Sequence, residues 1–479
     1  MAKSVVIIGA GVGGLSAAIY ARLRGFDVVV LEAAKHVGGK AASLSQSGYR
    51  LDPGPSIIIL IRIYEALFAD AGRRMSDYLT FQRLDPISRV LFQGEPPLDL
   101  PAGRAECLEA LSSYAPQDAV ALRDLMSRLD KITGHIDKSV FAHPIDRPWQ
   151  LIDPNLIATA LPFDVRLTYK QLVDQRFKSP LLRAFFYGFP SYGGQTFDSK
   201  APGALMIPYL MIQEGVYYPV GGVGSIPTSL ERLAKELGVE IRTSSQVVAM
   251  NSEKGQVKSV TLSDGQTIES HRFISNVDRI TTRKWLGHQV DWRPSLSYFT
   301  IHWGIKKRLP GLSHHTLLVP KDYEEGFNHL YREKQFPTHP IVYLNDTTAT
   351  DESVAPPNTT NLFAVVTCPA EEKHIDWVSE VPEFKRRVRE QMSNFGIDFD
   401  PSEVEFERIQ TPSYFAEAHG NYLGSLYGPE EKHRMFGGLF PLSNRDEEYK
   451  NLFYCGGSVQ PGAGLPMVTL SGKFAAKYL

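Results

Sequence analysis

Three glycines at the spacing Gly9-x-Gly11-x-x-Gly14 stand where an apolar run ends and a helical pattern begins, and a carboxylate, Glu32, closes the next apolar run. Each glycine has a physical task in gripping a nucleotide: Gly9 makes a tight turn, Gly11 lets the backbone approach a pyrophosphate, and Gly14 lets helix pack on strand. Val12 and Gly13 complete the turn, and the free N–H groups of the helix start face the phosphates. Glu32, followed by Ala33, is placed to accept both ribose hydroxyls of an adenosine, and its charge would repel a 2'-phosphate, which disfavours NADP. Val37-Gly38-Gly39-Lys40 adds backbone donors and a cation to the same diphosphate, as expected for an extended cofactor held permanently.

A second constellation lies at the other end of the chain. Asn451 to Ser458 reads as a buried strand ending in Gly456 and Gly457, and Pro461 to Pro466, containing Gly464, leads into a helical pattern through Met467 and Val468. It lacks a second ribose carboxylate, so it suits a flavin ring better than a second nucleotide. A helix start there would stabilise negative charge on the reduced ring. Cys455 is most simply a small buried residue.

The elements needed to position these groups are legible around them. Ser4 to Ile8 and Asp27 to Leu31 read as central parallel strands, with a helix from Leu15 to Leu23 between them, stopped by Gly25. The expected fold class is α/β, a Rossmann-like FAD-binding domain plus a mixed α+β substrate domain with a helical, membrane-facing part. The FAD domain should be discontinuous, over about 1–85, 211–280 and 435–479, with 86–210 and 281–434 forming the substrate domain. Gln246 to Met250 and Gln256 to Leu262 read as strands returning to the FAD domain. Ala105 to Arg183 reads as helical, broken at Pro144, Pro148, Pro154 and Pro162, while Ser295 to Ile305 and Thr316 to Val319 alternate like strands. Acidic Asp322 to Glu325 reads as solvated loop.

Composition narrows the classes. The 479 residues carry 51 Lys and Arg against 53 Asp and Glu, a net charge of -2, which gives no electrostatic case for nucleic acid. Cys107, Cys368 and Cys455 form no CxxC pair, which argues against a disulfide framework, and no His cluster offers metal-ligand spacing. No uninterrupted apolar window reaches membrane-spanning length, and the N-terminus does not read as a signal peptide, so the expected location is cytoplasmic and peripheral to a membrane. The apolar, aromatic stretch Ala201 to Pro219 is either pocket wall or the place where the chain docks on a bilayer.

The unit from Val5 to Lys40, continued by Asp52-Pro53-Gly54-Pro55, resembles the FAD-binding opening of the amine oxidase and carotenoid desaturase superfamily. Gly456 to Pro466, Gly215 to Gly222, Ser275-Asn276-Val277-Asp278 and Asp346 to Pro356 are similar to segments of the bacterial-type phytoene and carotenoid desaturase family, so the resemblance covers nearly the whole chain. It implies FAD as cofactor, with Pro55, Val247 and Asn276 joining the glycines above around it. It also implies desaturation of a carotenoid or other long polyene, with hydride leaving an allylic C–H for flavin N5 and quinone or oxygen reoxidising the enzyme. Isomerases, saturases and terminal-methyl oxygenases share the family, and Gln460 stands where the family more often has histidine, which keeps those alternatives open. An amine oxidase, or a prenyl-binding escort protein without catalysis, are readings from other classes. Candidate catalytic side chains are few: Arg176, Arg183, Tyr192 and Gln460, with Tyr187 beside them. Phe185, Phe186, Phe189, Tyr192, Met206, Tyr209, Met211 and Tyr217 are candidate walls of a dry tunnel.

Overall fold

The computed structural model describes residues 3–160, 163–371, 375–436, 438 and 440–479. Two sheets organise the molecule. The first has five parallel strands in the spatial order Leu452–Tyr454, Arg272–Ser275, Ser4–Ile8, Asp27–Leu31 and Glu240–Arg242. Ser4–Ile8 lies at its centre because Val5, Val6, Ile7 and Ile8 are apolar on both faces and all four are buried, as a parallel strand covered on both sides requires. The helix Val12–Leu23 returns over one face and packs between the helices Ser225–Glu236 and Leu465–Lys477. Close approach of the first and last helices depends on Gly472, where a Cβ would sit 2.4 Å from the Gly13 carbonyl oxygen.

The strands around 246–262 form a layer of their own that packs on the parallel sheet through Val6, Ile8 and Leu31. Val247–Glu253 and Gln256–Leu262 pair antiparallel with each other and with Thr267–Glu269 in a separate three-stranded sheet. The segments that enter the parallel sheet are Glu240–Arg242 and Arg272–Ser275, on either side of them. The reason lies in side-chain alternation: Val247, Met250, Val257 and Val260 point inward while Asn251, Ser252 and Lys258 face solvent, and a strand wetted on one face suits an antiparallel layer.

The second sheet has seven strands in the order Val404–Gln410, Leu296–Ile305, Thr360–Pro369, Val342–Asp346, His315–Val319, Ser88–Phe92 and Leu98–Leu100. All pairs are antiparallel except His315–Val319 with Ser88–Phe92. Its outer face, with Phe299, Ile301, Trp303, Leu344, Ala364 and Val366, packs under the helix Trp377–Ser393. Its inner face, with Tyr298, Thr300, His302, Tyr343, Asn345 and His315, meets the segment around residues 50–56: Asn361 Nδ2 donates to the Arg50 carbonyl at 2.7 Å, and Ser56 Oγ lies 2.7 Å from the Tyr343 hydroxyl.

Between residues 104 and 187 the chain is helical, as Arg104–Tyr114, Ala119–Lys138, Pro154–Ala160, Tyr169–Asp174 and Pro180–Tyr187. Ala119–Lys138 buries Leu122, Leu125, Met126, Leu129, Ile132 and Ile136, one stripe at helical spacing. Pro148 and Pro154 start turns of helix, which suits their fixed φ, while Pro162 lies outside the described residues. Asp322 to Glu325 is not a loop: it opens the helix Tyr323–Asn328, with Glu324 and Glu325 exposed in its first turn, where acidic side chains suit the helix dipole.

The stretch from Ala201 to Pro219 is interior. Met206, Tyr209, Leu210, Met211, Ile212 and Tyr218 are all buried, in the helix Met206–Glu214 and the strand Tyr217–Pro219, so most of this segment's apolar surface is spent on the core, with Ile207 and Tyr217 half-buried. Exposed apolar side chains gather instead at Trp149, Ile152, Ile157 and Val165, 65%, 73%, 44% and 43% accessible. No helix among the described residues is long and apolar enough to cross a membrane.

Candidate functional site

The glycine turn takes its shape from backbone alone. Gly9 has a φ of +93°, which a side chain would strain, and its N–H donates to the Leu31 carbonyl at 2.7 Å, fixing the turn to the second strand. A Cβ on Gly14 would lie 2.0 Å from the Gly9 carbonyl oxygen, so only glycine lets the helix start this close to the strand. The helix Val12–Leu23 has Gly11 as N-cap and no side-chain cap, which leaves its first N–H groups for an anion.

Glu32 is 8% exposed and preset for a diol. Its Oε2 accepts from the Ala10 N–H at 2.6 Å and its Oε1 from the Ala34 N–H at 2.9 Å. Each oxygen keeps a lone pair for a ribose hydroxyl, because a carboxylate offers about four acceptor sites in all. Ala33 is exposed beside it. The second glycine pair is strapped to the first turn, since the Gly38 N–H donates to the Ala10 carbonyl at 2.8 Å and Gly38 bridges Gly11 in parallel register.

Asn276 ties the two ends of the chain together. Its side chain lies beneath Gly9, Gly11, Gly13 and Gly456: a Cβ on Gly11 would come within 2.8 Å of its Nδ2, and one on Gly13 within 2.6 Å of its Oδ1. The side chain is therefore a wedge under both glycine turns, a second reason for glycine at positions 11 and 13 that spacing alone did not reveal. Cys455 donates to its Oδ1 at 3.5 Å, and burial pushes that thiol up out of reach of the thiolate form. At the C-terminal turn, Gly464 has a φ of +102° and a Cβ there would meet nothing within 4 Å, an open approach for a flat ring above Pro466, Met467 and Val468. Pro55 is half-buried beside Gly54, where a Cβ would strike the Lys40 carbonyl at 1.8 Å, and Val247 is buried in an apolar cluster with Val6, Ile8 and Leu31. Held this way, the glycines at 9, 11, 13, 14, 38, 39, 456, 457 and 464, with Glu32, fit a dinucleotide ending in a flat ring.

Lys40, expected to bring charge to a phosphate, has protein partners in the structure. Its Nζ donates to Asn421 Oδ1 at 3.0 Å, and burial holds its pKa down while Asp278 draws it up. Asp278 caps the helix Arg279–Trp285 through Oδ1, but its Oδ2 is buried without a hydrogen-bond partner, and burial pushes the carboxyl up to about 6 despite the Ile280 N–H and Lys40. His419, also beside Lys40, is held neutral by burial, its pKa down to about 3.

Three of the candidate catalytic side chains have structural partners instead. Arg176 donates to the Leu172 carbonyl at 3.2 Å and lies against Phe163; Arg183 donates to the Phe177 carbonyl at 2.7 Å and pairs with Asp174 at 3.6 Å. Gln460, 3% exposed, is tied by both ends of its amide to one distant residue: Oε1 accepts from the Ile145 N–H at 2.7 Å and Nε2 donates to the Ile145 carbonyl at 2.6 Å. With those bonds made, its side chain is a strap between the last glycine turn and the helical region, and not a group turned toward a flavin. Tyr187 binds Asp174 and Lys170.

Tyr192 differs. It is half-buried, its ring lies 5.9 Å from Phe189, and it packs on the same apolar cluster as Leu296 and Leu317 of the seven-stranded sheet. Phe185, Phe186, Phe189, Met206, Tyr209 and Met211 form one buried cluster with it at the edge, while Tyr217 is half-buried. That wall therefore runs into the inner face of the seven-stranded sheet, which sequence reading had not recognised.

A parallel sheet whose glycine turn and Glu32 fit a dinucleotide, with a second glycine turn at its far edge and a separate seven-stranded sheet, is the frame of a flavoprotein oxidoreductase. The chain belongs to the family described as flavin containing amine oxidoreductase, whose sequence model matches residues 12–479. It is an FAD-dependent enzyme, and its resemblance to carotenoid-modifying members of this superfamily holds. It is 30% identical to 4,4'-diaponeurosporene oxygenase of Staphylococcus haemolyticus over 99% of this chain and 96% of the relative, and 30% identical to that of Staphylococcus aureus over 99% and 98%. Among solved structures, an oxidoreductase from Methanosarcina mazei superposes with a TM-score of 0.67 at 15% identity, covering 99% of this chain and all of that one (100%).

Proposed function

We propose that this enzyme oxidises a carotenoid or similar long polyene, and that oxidation at the terminal methyl end takes precedence over the mid-chain desaturation expected from sequence. The observation that carries this is the inner sheet face, buried yet polar. A hydrocarbon passing through for desaturation needs only an apolar wall, whereas a terminus that gains oxygen needs hydrogen-bond partners. The names of the 30% identical relatives support the same order.

When bound, FAD supplies a two-electron hydride acceptor. The chain's own residues hold and orient: Glu32 takes the ribose, the start of Val12–Leu23 takes the diphosphate, and the start of Leu465–Lys477 presents N–H groups to the ring edge. Phe185, Phe186, Phe189 and Met206 exclude water and align the polyene by shape. Quinone or oxygen as final acceptor belongs to this reading.

A polyene of this kind dissolves in lipid, so the reading includes peripheral membrane docking, moved from Ala201–Tyr218 to the exposed apolar segment around Trp149, Ile152 and Ile157. Arg147 stacks over Trp149 at 5.5 Å, the pairing of aromatic and cation that suits a headgroup layer.

The test starts anaerobically: FAD-loaded protein is mixed with liposomes carrying polyene hydrocarbons to follow flavin bleaching, and product mass is read before and after air is admitted, in oxygen-18-labelled water, so that oxygen gained from water and from dioxygen are told apart. Bleaching with a product that gains oxygen supports terminal oxidation. A product that has lost two hydrogens and gained no oxygen restores desaturation, and no bleaching with any polyene sinks the reading.

A further inference from the structure

On the inner sheet face, the Tyr298 and Tyr427 hydroxyls lie 2.7 Å apart, and neither has another hydrogen-bond partner among the described residues. Two phenols own two protons, and only one lies between them, so one donor is left over. A second array has the same property. Ser56 Oγ is 2.7 Å from the Tyr343 hydroxyl, which is 2.6 Å from His315 Nδ1, and His315 Nε2 is then left buried without a partner on a residue 1% exposed. Sheet register places the two arrays on one face: Tyr298 and Thr300 are alternate residues of their strand, Thr300 stands opposite Val365, Val365 opposite Tyr343, and His315 opposite Asn345. Tyr192, at the end of the phenylalanine wall, packs on the same cluster as Leu317, which stands opposite Tyr343 on this face.

We propose that Tyr298, Tyr427, Tyr343 and His315 form a hydrogen-bonding cap that receives an oxygen function on the end of the polyene, making the enzyme select end-oxygenated polyenes over hydrocarbons. This rests on the polyene reading above. Buried polar groups left unmatched are costly, and a hydrocarbon end leaves these unmatched while an alcohol or aldehyde oxygen satisfies them. Burial also keeps the cap uncharged, with His315 held far below its ordinary pKa and Tyr298 and Tyr343 far above theirs. The partner it suits is accordingly a neutral oxygen. The cap is a specificity device and needs no bond-making role.

The experiment compares three linear polyenes of one length in liposomes: the hydrocarbon, its terminal alcohol and its terminal aldehyde. Binding to the holoenzyme is read from perturbation of the flavin spectrum, and the visible band of the bound aldehyde reports hydrogen bonding to its carbonyl. Wild type is expected to bind the oxygenated pair at least ~10-fold tighter than the hydrocarbon. Tyr298→Phe and Tyr343→Phe, which keep the ring's shape, should lose that preference and the red shift of the aldehyde band, with hydrocarbon affinity raised and affinity for the oxygenated pair lowered. Equal affinity for all three polyenes in wild type, or a preference that survives both substitutions, overturns the cap and leaves the polyene reading standing. No binding of any polyene overturns both.

Discussion

The two faces of the seven-stranded sheet are built from the same strands, yet they obey different rules. Outside, Phe299 meets Phe384 edge-on at 6.0 Å and Phe384 stacks on Phe336 at 4.2 Å, the dense apolar packing that stabilises a domain. Inside, His302, His315 and Asn345 are 4%, 1% and 2% exposed, and the half-buried tyrosines lie among them. Burial of the first kind contributes stability. Burial of the second kind gives some of it up and, by the cap proposed above, obtains recognition in return.

That contrast breaks if an outer-face truncation harms ligand binding more than folding. Trp303→Ala removes a fully buried indole whose Nε1 donates to Glu407 at 2.7 Å, and is expected to cost about 3–5 kcal/mol in denaturant unfolding, while folded protein keeps its FAD. On the domain junction the sign should reverse. Asp278 has its pKa raised by burial to about 6, so the folded state resists its charge and stability falls as pH rises from about 4 to 6. Asp278→Asn keeps a helix cap and should stabilise the protein at pH 7 by up to about 3 kcal/mol, with no gain at pH 4, read from urea midpoints at the two pH values. A stability curve equally steep in the variant would remove Asp278 as its source.

Smaller effects sharpen the same division. Glu32→Gln leaves one backbone N–H facing an amide and weakens the ribose contact. FAD affinity should drop about 10- to 100-fold, measured by flavin loss on gel filtration, with apoprotein stability changed by about 1 kcal/mol. Smallest of all, Tyr298→Phe is expected to move the unfolding free energy by less than about 1 kcal/mol, because its hydroxyl serves a ligand more than the fold. A loss as large as that of Trp303→Ala would place Tyr298 with the outer face after all.

What the sequence disclosed follows from how local each feature is. Gly9 to Glu32 was legible because strand, turn, helix and carboxylate are contiguous, and the geometry at Gly9 and Gly14 is dictated by backbone a few residues away. Gln460 was misread because its partner, Ile145, is remote in sequence and no periodicity links them. The stretch from Ala201 to Pro219 has one composition whether it faces lipid or interior, so only packing decides. The tyrosine cap was beyond reach because Tyr298, Tyr343 and Tyr427 come from separate segments brought together by register. One signal was present: in Leu296–Ile305 the alternate residues Tyr298, Thr300 and His302 are polar in a strand with no wet face.

The wedge at Asn276 sets an order of events during synthesis. The loop around Gly9 leaves the ribosome first, but its floor arrives with residue 276 and its far wall only with Gly456 and the helix Leu465–Lys477, which packs along Val12–Leu23. Closing contacts across nearly the whole chain is slow, and the early loop has an incomplete grip until then. Cofactor capture is thereby expected to wait for the helix Leu465–Lys477, and a variant lacking that helix should be colourless.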